Sequence, residues 1–358
     1  IIQSALYTGA YKNFDTWRNM PLTFTLSREV PKGSPPVTLK VNQQVYRLDN
    51  REFMPVNVGL TEEFTIHACD QTLLNDAKTL VSKSWKCTQP SEIVEYVLKS
   101  CVGADGDKIQ VDSAGPARDY IAENIHPFQV IQQQCNVALY DDNDPSFLHY
   151  MTYENGGTHY FRALKKLEQG NVNKTYYNAE GGVGEIADKV KAIAFSFPCD
   201  FDLLSDLLNG IDENGKPYNT LSTFNPVDAT ASLFGGDGQM GSGCGVGRGN
   251  HKQALSNKGT SQQQNSCDIG VEQYLLLRQA RMGLLERDKI AFRMTIPWDP
   301  DLHVGEMIGF NHYSKNYSYG SSDLLYGSGA YLIVALKHNI QLGGFATTTV
   351  DCITGQIG

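Results

Sequence analysis

The stretch YLIVALKHNI (331–340), followed by a Gly-Gly pair and FATTTVDCI (345–353), decides the fold class of this chain. Both runs are rich in the β-branched and aromatic residues that favour strands, and two glycines between them are typical of a turn. Two similar runs come before them, DKIAFRM (288–294) and LHVGEMIGF (302–310). Four strand-like runs with Gly and Pro punctuation predict a small antiparallel barrel or sandwich at this end of the chain.

The first seventy residues also indicate strands. The alternating runs LTFTL (22–26) and VTLKV (37–41) are followed by VYRL (45–48) and EFTIHAC (63–69). The third and fourth runs resemble a pair near the other end of the chain. YRL (46–48) followed by FTI (64–66) is similar to YLI (331–333) followed by FATTT (345–349). The sequence therefore predicts an α+β, β-rich protein with two similar small antiparallel β-barrels.

Between the ends, the apolar spacing changes to that of helices. Asp70 is a suitable N-cap for one helix, Ser91 is predicted to cap a second, and Pro127 opens a third. We expect a first barrel over 1–70, an α/β domain over 71–165 and a second barrel built from 166–200 and 288–358. The remaining segment, 201–287, is predicted to be an inserted loop-rich and helical domain, with a Gly-rich stretch around 235–249.

Composition limits the function classes. The chain has 358 residues, a formal net charge of −9 and no apolar run long enough to span a membrane. An acidic surface repels phosphates, so we expect no stable nucleic-acid binding. The eight cysteines form no CxxC motif, which favours buried reduced thiols over a disulfide framework.

No motif predicts catalysis, a cofactor or a metal. Gly236, Gly238 and Gly241 match a dinucleotide fingerprint in letters, but more glycines follow where a helix must start. The acidic runs 141–144 and 212–215 lack the closing Glu of a calcium loop. Counting back from the hairpin turn places His159 opposite Thr152 and His149 opposite Arg162, which disfavours a metal site there. We therefore expect a non-enzymatic protein without cofactor.

The order of segments resembles the central baseplate hub protein of contractile-tailed bacteriophages, a family that shares its building plan with the hub half of the type VI secretion spike, as in VgrG-like proteins. The stretches that carry the resemblance are SEIVEYVLKS (91–100), the helix-and-hairpin segment 126–167, VKAIAFSFPCDFDLLSDLLNGI (190–211) and YGSGAYLIVALKHNI (326–340). The resemblance runs over most of the chain from about Pro21. The Gly-rich stretch 235–249 and the start of the chain depart from the family pattern.

The resemblance implies a homotrimer in which two barrels per chain alternate in a pseudo-sixfold ring. Such a ring joins a hexameric tail tube, or a tube-initiator protein, to a trimeric cell-puncturing spike, with a tape-measure protein or the genome in its lumen. The implied location is the baseplate of a virion tail assembled in the bacterial cytoplasm. As a hypothesis, the ring interfaces are lined by Tyr46, Leu48, Tyr331, Ile333 and His338.

Two alternatives remain open. The same building block serves as the hub of a type VI secretion system or another phage-derived injection device, and composition does not separate these settings. A glycan-binding or glycan-cleaving tail protein would need aromatic platforms beside a carboxylate pair. It is the weaker alternative, because the three tryptophans, Trp17, Trp85 and Trp298, are far apart in the sequence.

Overall fold

The structure is a computed structural model, and it describes part of the chain. The described residues are 19–28, 37–56, 59–141, 144–153, 157–179, 189–197, 220–225, 230–234, 251–255, 292–313, 324–325, 327–341 and 346–353. Several predictions lie outside them: the Gly-rich stretch, the dinucleotide-like glycines, the acidic run 212–215 and the expected helices over 200–208 and 271–286. The predicted domain boundaries stay predictions.

The chain is α+β and rich in strands, as the sequence predicts. Its first sheet contains β1 (Pro21–Arg28), β2 (Val37–Val56) and β3 (Gly59–Cys69), which pair antiparallel in the order β1-β2-β3. Leu22, Phe24 and Leu26 share one face of β1, whereas the residues between them are threonines. This alternation is the pattern of a sheet with one apolar and one polar face.

An α/β unit follows directly after β3. Its elements are α1 (Gln71–Lys78), β4 (Val81–Thr88), α2 (Pro90–Tyr96), a π-helical turn (Val97–Cys101), a 3-10 turn (Gly106–Lys108), β5 (Ile109–Val111), β6 (Arg118–Ile125), α3 (Pro127–Val137), β7 (Phe147–Thr152), β8 (Thr158–Ala163) and α4 (Leu164–Glu168). The apolar stripes of α2 and α3 meet in one core, where Ile93, Leu98 and Ile131 are fully buried.

The predicted starts at Asp70 and Pro127 are confirmed. Ser91, by contrast, lies inside α2, whose N-cap is Gln89 because Pro90 opens the helix. The first helix is also shorter than its apolar pattern predicts. Asp70 caps α1 by accepting the backbone N–H of Thr72. The helix ends at Lys78, because Thr79 and the residues after it are extended, and Val81 begins β4 instead of continuing the helical stripe. Strands β4 and β6 pair antiparallel, with Trp85 opposite Tyr120. The residue pattern of 81–88 and 118–125 did not predict this pairing.

The predicted register of the hairpin β7–β8 is wrong by one residue. Thr152 pairs with Thr158 and His149 pairs with Phe161, so the connecting loop is one residue shorter than expected. Because side chains alternate between the two faces of a sheet, a one-residue shift in register changes which residues of the two strands lie on the same face. The correction brings His149 and His159 together on one face, with a separation of 3.2 Å between ring nitrogens.

The second sheet is built from both sides of the inserted segment. Its strands are β9 (Val172–Ala179), β10 (Val190–Lys191), β11 (Ala194–Ser196), β15 (Phe292–Pro297), β16 (Met307–Tyr313), β17 (Gly329–Ile340) and β18 (Ala346–Ile353), in the order β10-β9-β16-β17-β18-β15-β11. Between them along the chain, β12 (Thr220–Asn225), β13 (Thr230–Phe234) and β14 (His251–Leu255) form a separate sheet. The second sheet is mixed, because β9 pairs parallel with β16 and β10, which corrects the expectation of an antiparallel barrel.

One short segment lies at both edges of this sheet. The backbone N–H of Ala192 donates to Tyr177 of β9, and the N–H of the next residue, Ile193, donates to Thr295 of β15. Residues 190–196 therefore pair with β9 and with β15, at the two ends of a sheet that curls into a half-barrel. Through this pairing neither β9 nor β15 is left as an open edge.

Aromatic side chains fill the barrel. The ring of Phe310 lies 4.3 Å from that of Phe292, which lies 4.8 Å from Tyr331. Phe292 and Phe310 are fully buried, and burying a side chain of this size contributes roughly 1.5–3 kcal/mol. The barrel core is therefore the main stabilising feature of the second sheet.

The α/β unit packs on one end of the barrel. Leu164 and Leu167 of α4 share a cluster with Leu332 and Ile353 of the barrel strands. Close by, Tyr150 of β7 lies against the backbone of Gly305, where an added Cβ would overlap the phenol ring. These contacts fix the two parts to each other through apolar packing.

The cysteine prediction holds in part. Cys69, Cys101, Cys135 and Cys352 are free, and burial raises the pKa of the Cys352 thiol. Cys87 is disulfide-bonded, so the expectation of a reduced thiol is wrong for this residue. It is exposed at the end of β4 with a φ of 48°, outside the apolar faces on which the expectation rested.

Candidate functional site: two equivalent strand meanders

Two parts of the chain share one strand pattern. The first meander is β1–β2–β3 and the second meander is β16–β17–β18, and in both the three strands are consecutive and antiparallel. Both contain a row of three paired residues across the sheet. The row is Pro21–Gln44–Cys69 in the first meander and Met307–Leu332–Ile353 in the second.

The turns that lead into the two meanders make the same backbone hydrogen bonds. In the first meander, Asn19 N–H donates to Val45 O at 2.8 Å and Val45 N–H donates to Met20 O at 3.0 Å. In the second, Gly305 N–H donates to Ile333 O at 2.9 Å and Ile333 N–H donates to Glu306 O at 3.0 Å.

Even the backbone dihedrals agree at these turns. Asn19 has a φ of 61° and Gly305 a φ of 89°, both in the left-handed region that ordinary residues avoid. Each lies two residues before the first paired residue of its meander, Pro21 or Met307. Asn and Gly are the residue types that adopt this conformation most readily, so both sequences fit the same turn.

A β-bulge follows at the equivalent place in both meanders. The pairing of β2 with β3 shifts between Val45 and Arg47, which leaves Tyr46 as the extra residue. The pairing of β17 with β18 shifts between Ile333 and Ala335, which leaves Val334. Both extra residues are apolar and exposed, Tyr46 by 53% and Val334 by 36%. Bulges are specific features that re-aim side chains, so their recurrence indicates a repeated structural unit.

The two meanders differ in what surrounds them. Phe24 and Phe310 are equivalent, each three residues after the start of its row, yet Phe310 is fully buried and Phe24 is 37% exposed. The second meander is flanked by β9 and β15, which complete the barrel around Phe310. In the described residues, β1 and β3 have no such flanking strands.

The predicted interface residues fall in different environments. Tyr46 is on the surface beside His67, with ring centroids 6.1 Å apart. Leu48 of β2 pairs with Ile66 of β3, and the structure does not describe the side chain of Leu48. Tyr331 and Ile333 are buried in the barrel core at 3% and 1% exposure, and the Tyr331 hydroxyl donates to Gly327 O. Their side chains are therefore used by this chain's own core, and an interface role for any of these residues stays a prediction.

His338 is half-buried in β17. Its Nδ1 lies 2.9 Å from the hydroxyl of Thr348. Burial lowers the pKa of His338, and the nearby Asp299 acts in the opposite direction. The neutral ring suits a hydrogen bond within the sheet, and contact with a second chain remains a prediction for this residue.

The sequence pointed to one bulge residue and missed the other. The letters match Tyr46 to Tyr331, whereas the backbone pattern makes Tyr46 equivalent to Val334, three residues further along. A bulge adds a residue without leaving a reliable mark in the alternation of apolar residues. The sequence feature that could have revealed the equivalence of the two meanders is Gly305, because Gly and Asn are the residue types that favour the left-handed φ found at Gly305 and Asn19.

A polar cluster lies between β9 and the loop after β15. Asp299 accepts hydrogen bonds from Lys174 at 2.9 and 3.0 Å and from the Tyr176 hydroxyl at 3.1 Å. Burial, then Asp299, raises the pKa of Tyr176. These groups satisfy one another and stabilise the barrel wall. The described residues contain no group of three or more His, Cys, Asp or Glu side chains suited to a metal ion.

No described helix is both long and apolar enough to cross a lipid bilayer. No protein-family model matches the chain, and a search of curated proteins finds no match either.

A comparison with solved structures finds weak similarity to two proteins, among others. One is the tail protein from Neisseria meningitidis MC58, with a TM-score of 0.49 and 8% sequence identity, covering 94% of this chain and 88% of that protein. Another is the E. coli c3393 protein, described as a type VI secretion component with structural similarity to the T4 tail proteins gp27 and gp5. It has a TM-score of 0.43 and 6% identity, and the match covers 94% of this chain and 71% of that one. At these scores and identities, neither likeness carries a functional argument.

Proposed function

We propose that this chain is a structural baseplate hub protein that forms a homotrimeric, pseudo-sixfold ring between a hexameric tail tube and a trimeric spike. The observation that carries the proposal is the repeat of one meander at both ends of the chain, with its left-handed turn, its backbone hydrogen bonds and its bulge. The protein acts by its geometry, and we expect no catalytic residue and no cofactor.

The repeat suits a symmetry mismatch. Three identical chains around an axis present three first meanders and three second meanders. If these alternate, the ring offers six equivalent backbone units to a sixfold partner, while its unlike flanking parts keep threefold symmetry for a spike. Closed rings with heterologous contacts also cover exposed sheet edges. Within the described residues β1 and β3 have no further paired strand, and we expect contacts with a neighbouring chain at these edges.

The charge of the chain supports a conducting ring. A net charge of −9 per chain gives a trimer a strongly acidic surface. Such a surface repels the phosphates of nucleic acid and favours passage over binding. The ring thereby lets a genome, or a tape-measure protein before it, move through the lumen. The proposed location is the tail tip of a virion.

The same ring would serve a type VI secretion system or another phage-derived injection device. The described geometry suits both settings equally, because the proposed adapter joins the same kinds of partner in each. Capsid genes beside the sheath and tube genes would favour the virion. Their absence from such a cluster would favour a secretion device.

The ring is tested by mass photometry of the purified full chain, alone and with its spike partner. We expect a trimer in at least one of these conditions. Tyr46→Asp and Val334→Asp each place a charge on a bulge, and we expect them to shift the population toward monomer if the bulges lie at ring contacts.

Ile121→Asp is the matched control for the two bulge variants. Ile121 is an exposed apolar residue, at 62%, on β6 of the α/β unit and outside both meanders. The control should leave the trimer intact. Monomer under every condition for the unmodified chain would count against the ring.

A further inference from the structure

Two histidines join the hairpin β7–β8 to the start of helix α1 through a continuous chain of hydrogen bonds. Nε2 of His149 lies 3.2 Å from Nδ1 of His159, and Nε2 of His159 lies 3.1 Å from the Thr72 hydroxyl. The Thr72 hydroxyl donates to Oδ1 of Asp70 at 2.5 Å, and the same oxygen accepts the Thr72 backbone N–H at 2.7 Å. The chain of bonds therefore ends on the carboxylate that caps α1. We call these four residues the histidine latch.

Because the chain of hydrogen bonds ends on a carboxylate, which only accepts, every bond in the latch donates toward Asp70. The Thr72 hydroxyl has one hydrogen, which it donates to Asp70, so it accepts from Nε2–H of His159. Nδ1 of His159 is then without hydrogen and accepts from Nε2–H of His149. This arrangement fixes the tautomer of His159 and needs it to be neutral.

The surroundings of the latch disfavour charge on either ring. His159 is 2% exposed, and the ring of Phe128 from α3 lies 5.5 Å from His149 and 6.2 Å from His159. Burial, with a smaller contribution from His159, lowers the pKa of His149 to about 3. Burial also lowers the pKa of His159, against the opposing effect of Asp70.

Neighbouring titratable groups also have partners of their own, such as the Asp76 carboxylate of α1, which accepts the backbone N–H of Phe128 at 2.7 Å. From α1 the group that faces the histidines is the Asp70 carboxylate, which also lies against Gly157 of the hairpin. From the start of α3, His126 directs Nδ1 at the backbone oxygens of Asp76 and Thr79, 3.0 and 3.1 Å away, and not at the latch.

We propose that the histidine latch is an acid-sensitive connection that holds the start of α1, and with it the end of β3, on the hairpin β7–β8. A proton on Nδ1 of His159 turns this acceptor into a donor that faces the N–H of His149. The bond then persists only if His149 moves its hydrogen to Nδ1, and in either case a charged ring is left in a buried site. The charged ring of His159, which is 2% exposed, then requires water, and it reaches water when α1 separates from the hairpin. Because β3 ends at Cys69, next to Asp70, opening loosens the link between the first meander and the α/β unit.

The size of the effect follows from proton uptake. In the open state both rings are solvated and titrate near the ordinary histidine pKa of about 6.5. Each ring that gains a proton on opening raises the ratio of open to closed molecules up to about tenfold for each pH unit below that value. Two rings together give up to about 100-fold per pH unit. Stability of the latch is thus full above about pH 6.5 and decreases as the pH falls.

Hydrogen exchange of the full chain between pH 6.5 and 5, followed by mass spectrometry, tests the proposal. Carboxylates with ordinary pKa values near 4 remain mostly ionised over this range. After correction for intrinsic exchange, the protection of residues 71–78 should fall by about two orders of magnitude in total between pH 6.5 and 5, because the limiting slope is reached only well below the open-state pKa. In His149→Gln or His159→Gln, whose amides can still donate a hydrogen bond, the fall over the same range should be about tenfold. In the double variant it should be close to zero.

His338→Gln is the matched control, since His338 is half-buried in the barrel and outside the latch. It should keep the unmodified slope. Protection of α1 that is independent of pH in the unmodified chain would overturn the proposal, as would equal slopes in the unmodified chain and the double variant.

A measurement on the unmodified chain keeps the proposal testable if a variant does not fold. Nitrogen NMR of ¹⁵N-histidine-labelled protein at pH 7 should show two rings, those of His149 and His159, with hydrogen on Nε2 and none on Nδ1, both unchanged down to pH 6. A ring at this site with hydrogen on Nδ1 would contradict the direction of the bonds.

Discussion

Gly305 meets two demands that only glycine satisfies together. Its φ of 89° lies in the left-handed region, and a Cβ at this position would overlap the ring of Tyr150. The equivalent turn in the first meander uses Asn19 at a φ of 61°. Asparagine is thus compatible with the turn itself, while the packing of Tyr150 requires that no side chain be present at Gly305.

We expect Gly305→Ala to lower the free energy of unfolding by about 2 kcal/mol or more, because strain and overlap act together. Gly305→Asn relieves part of the strain but keeps the overlap, so it should be no better than a partial rescue. Chemical denaturation of the purified chain measures both.

Gly329→Ala is the control, since a Cβ there meets nothing within 4 Å and its φ is not left-handed. It should change stability by less than about 1 kcal/mol. Equal losses for Gly305→Ala and Gly329→Ala would show that the Tyr150 contact has no special role.

At the residue scale, sequence reasoning identified one helix cap and missed another, because Ser91, the predicted cap of α2, lies inside that helix, whose N-cap is Gln89. Asp70 was predicted as an N-cap, and its side chain does accept from Thr72. The role of the same carboxylate in the histidine latch was not predictable, because it depends on a hairpin register that differs by one residue from the expected one. A register is set by turn geometry and packing, which residue letters do not specify closely.

The segment 190–196 is the element on which barrel closure depends. Consecutive backbone N–H groups, those of Ala192 and Ile193, donate to opposite edges of the sheet at 2.9 and 2.8 Å. The sequence predicted one strand here, and the structure shows two very short ones, β10 and β11. A single run of apolar residues does not reveal that its two halves pair with different neighbours.

Ile193→Pro tests this closure. The side chain of Ile193 is 58% exposed, so the variant chiefly removes the N–H that donates to Thr295. We expect a loss of about 2 kcal/mol or more, since proline also leaves a strand carbonyl unpaired. Thermal unfolding followed by circular dichroism measures the change.

Ile193→Ala keeps the backbone donor and changes the same side chain. It should leave stability within about 1 kcal/mol of the unmodified chain, because little buried apolar area is lost. If alanine proved as destabilising as proline, the effect would come from the side chain and not from closure.

The sequence also predicted the major helices but not the sheet between them. Periodic apolar residues marked α2 and α3, whose inner faces are buried. Strands β4 and β6 were missed, since an exposed two-stranded sheet leaves few buried positions and β4 buries only Val81 and Trp85. The fold class could thus be predicted from the chain, whereas pairing and closure required the structure.

At the scale of the whole molecule, the repeat is the feature that links fold and proposed function. Sequence letters suggested two similar ends, and the backbone shows equivalent turns, hydrogen bonds and bulges in both meanders. The equivalence is stronger in the backbone than in the side chains, because Phe310 is enclosed by a barrel and Phe24 is partly exposed. A chain that repeats one backbone unit in two different surroundings is suited to a ring that is sixfold on one side and threefold on the other.

Electron cryomicroscopy of the assembled ring, prepared from the full chain with its spike partner, tests this account most directly. We predict a threefold particle in which the first and second meanders alternate around one axis. A rotation of about 60° around this axis should superpose the backbone turn at each Asn19 on the backbone turn at a neighbouring Gly305, as closed pseudo-sixfold symmetry requires. Meanders that face away from each other, with no common axis, would contradict the proposed adapter.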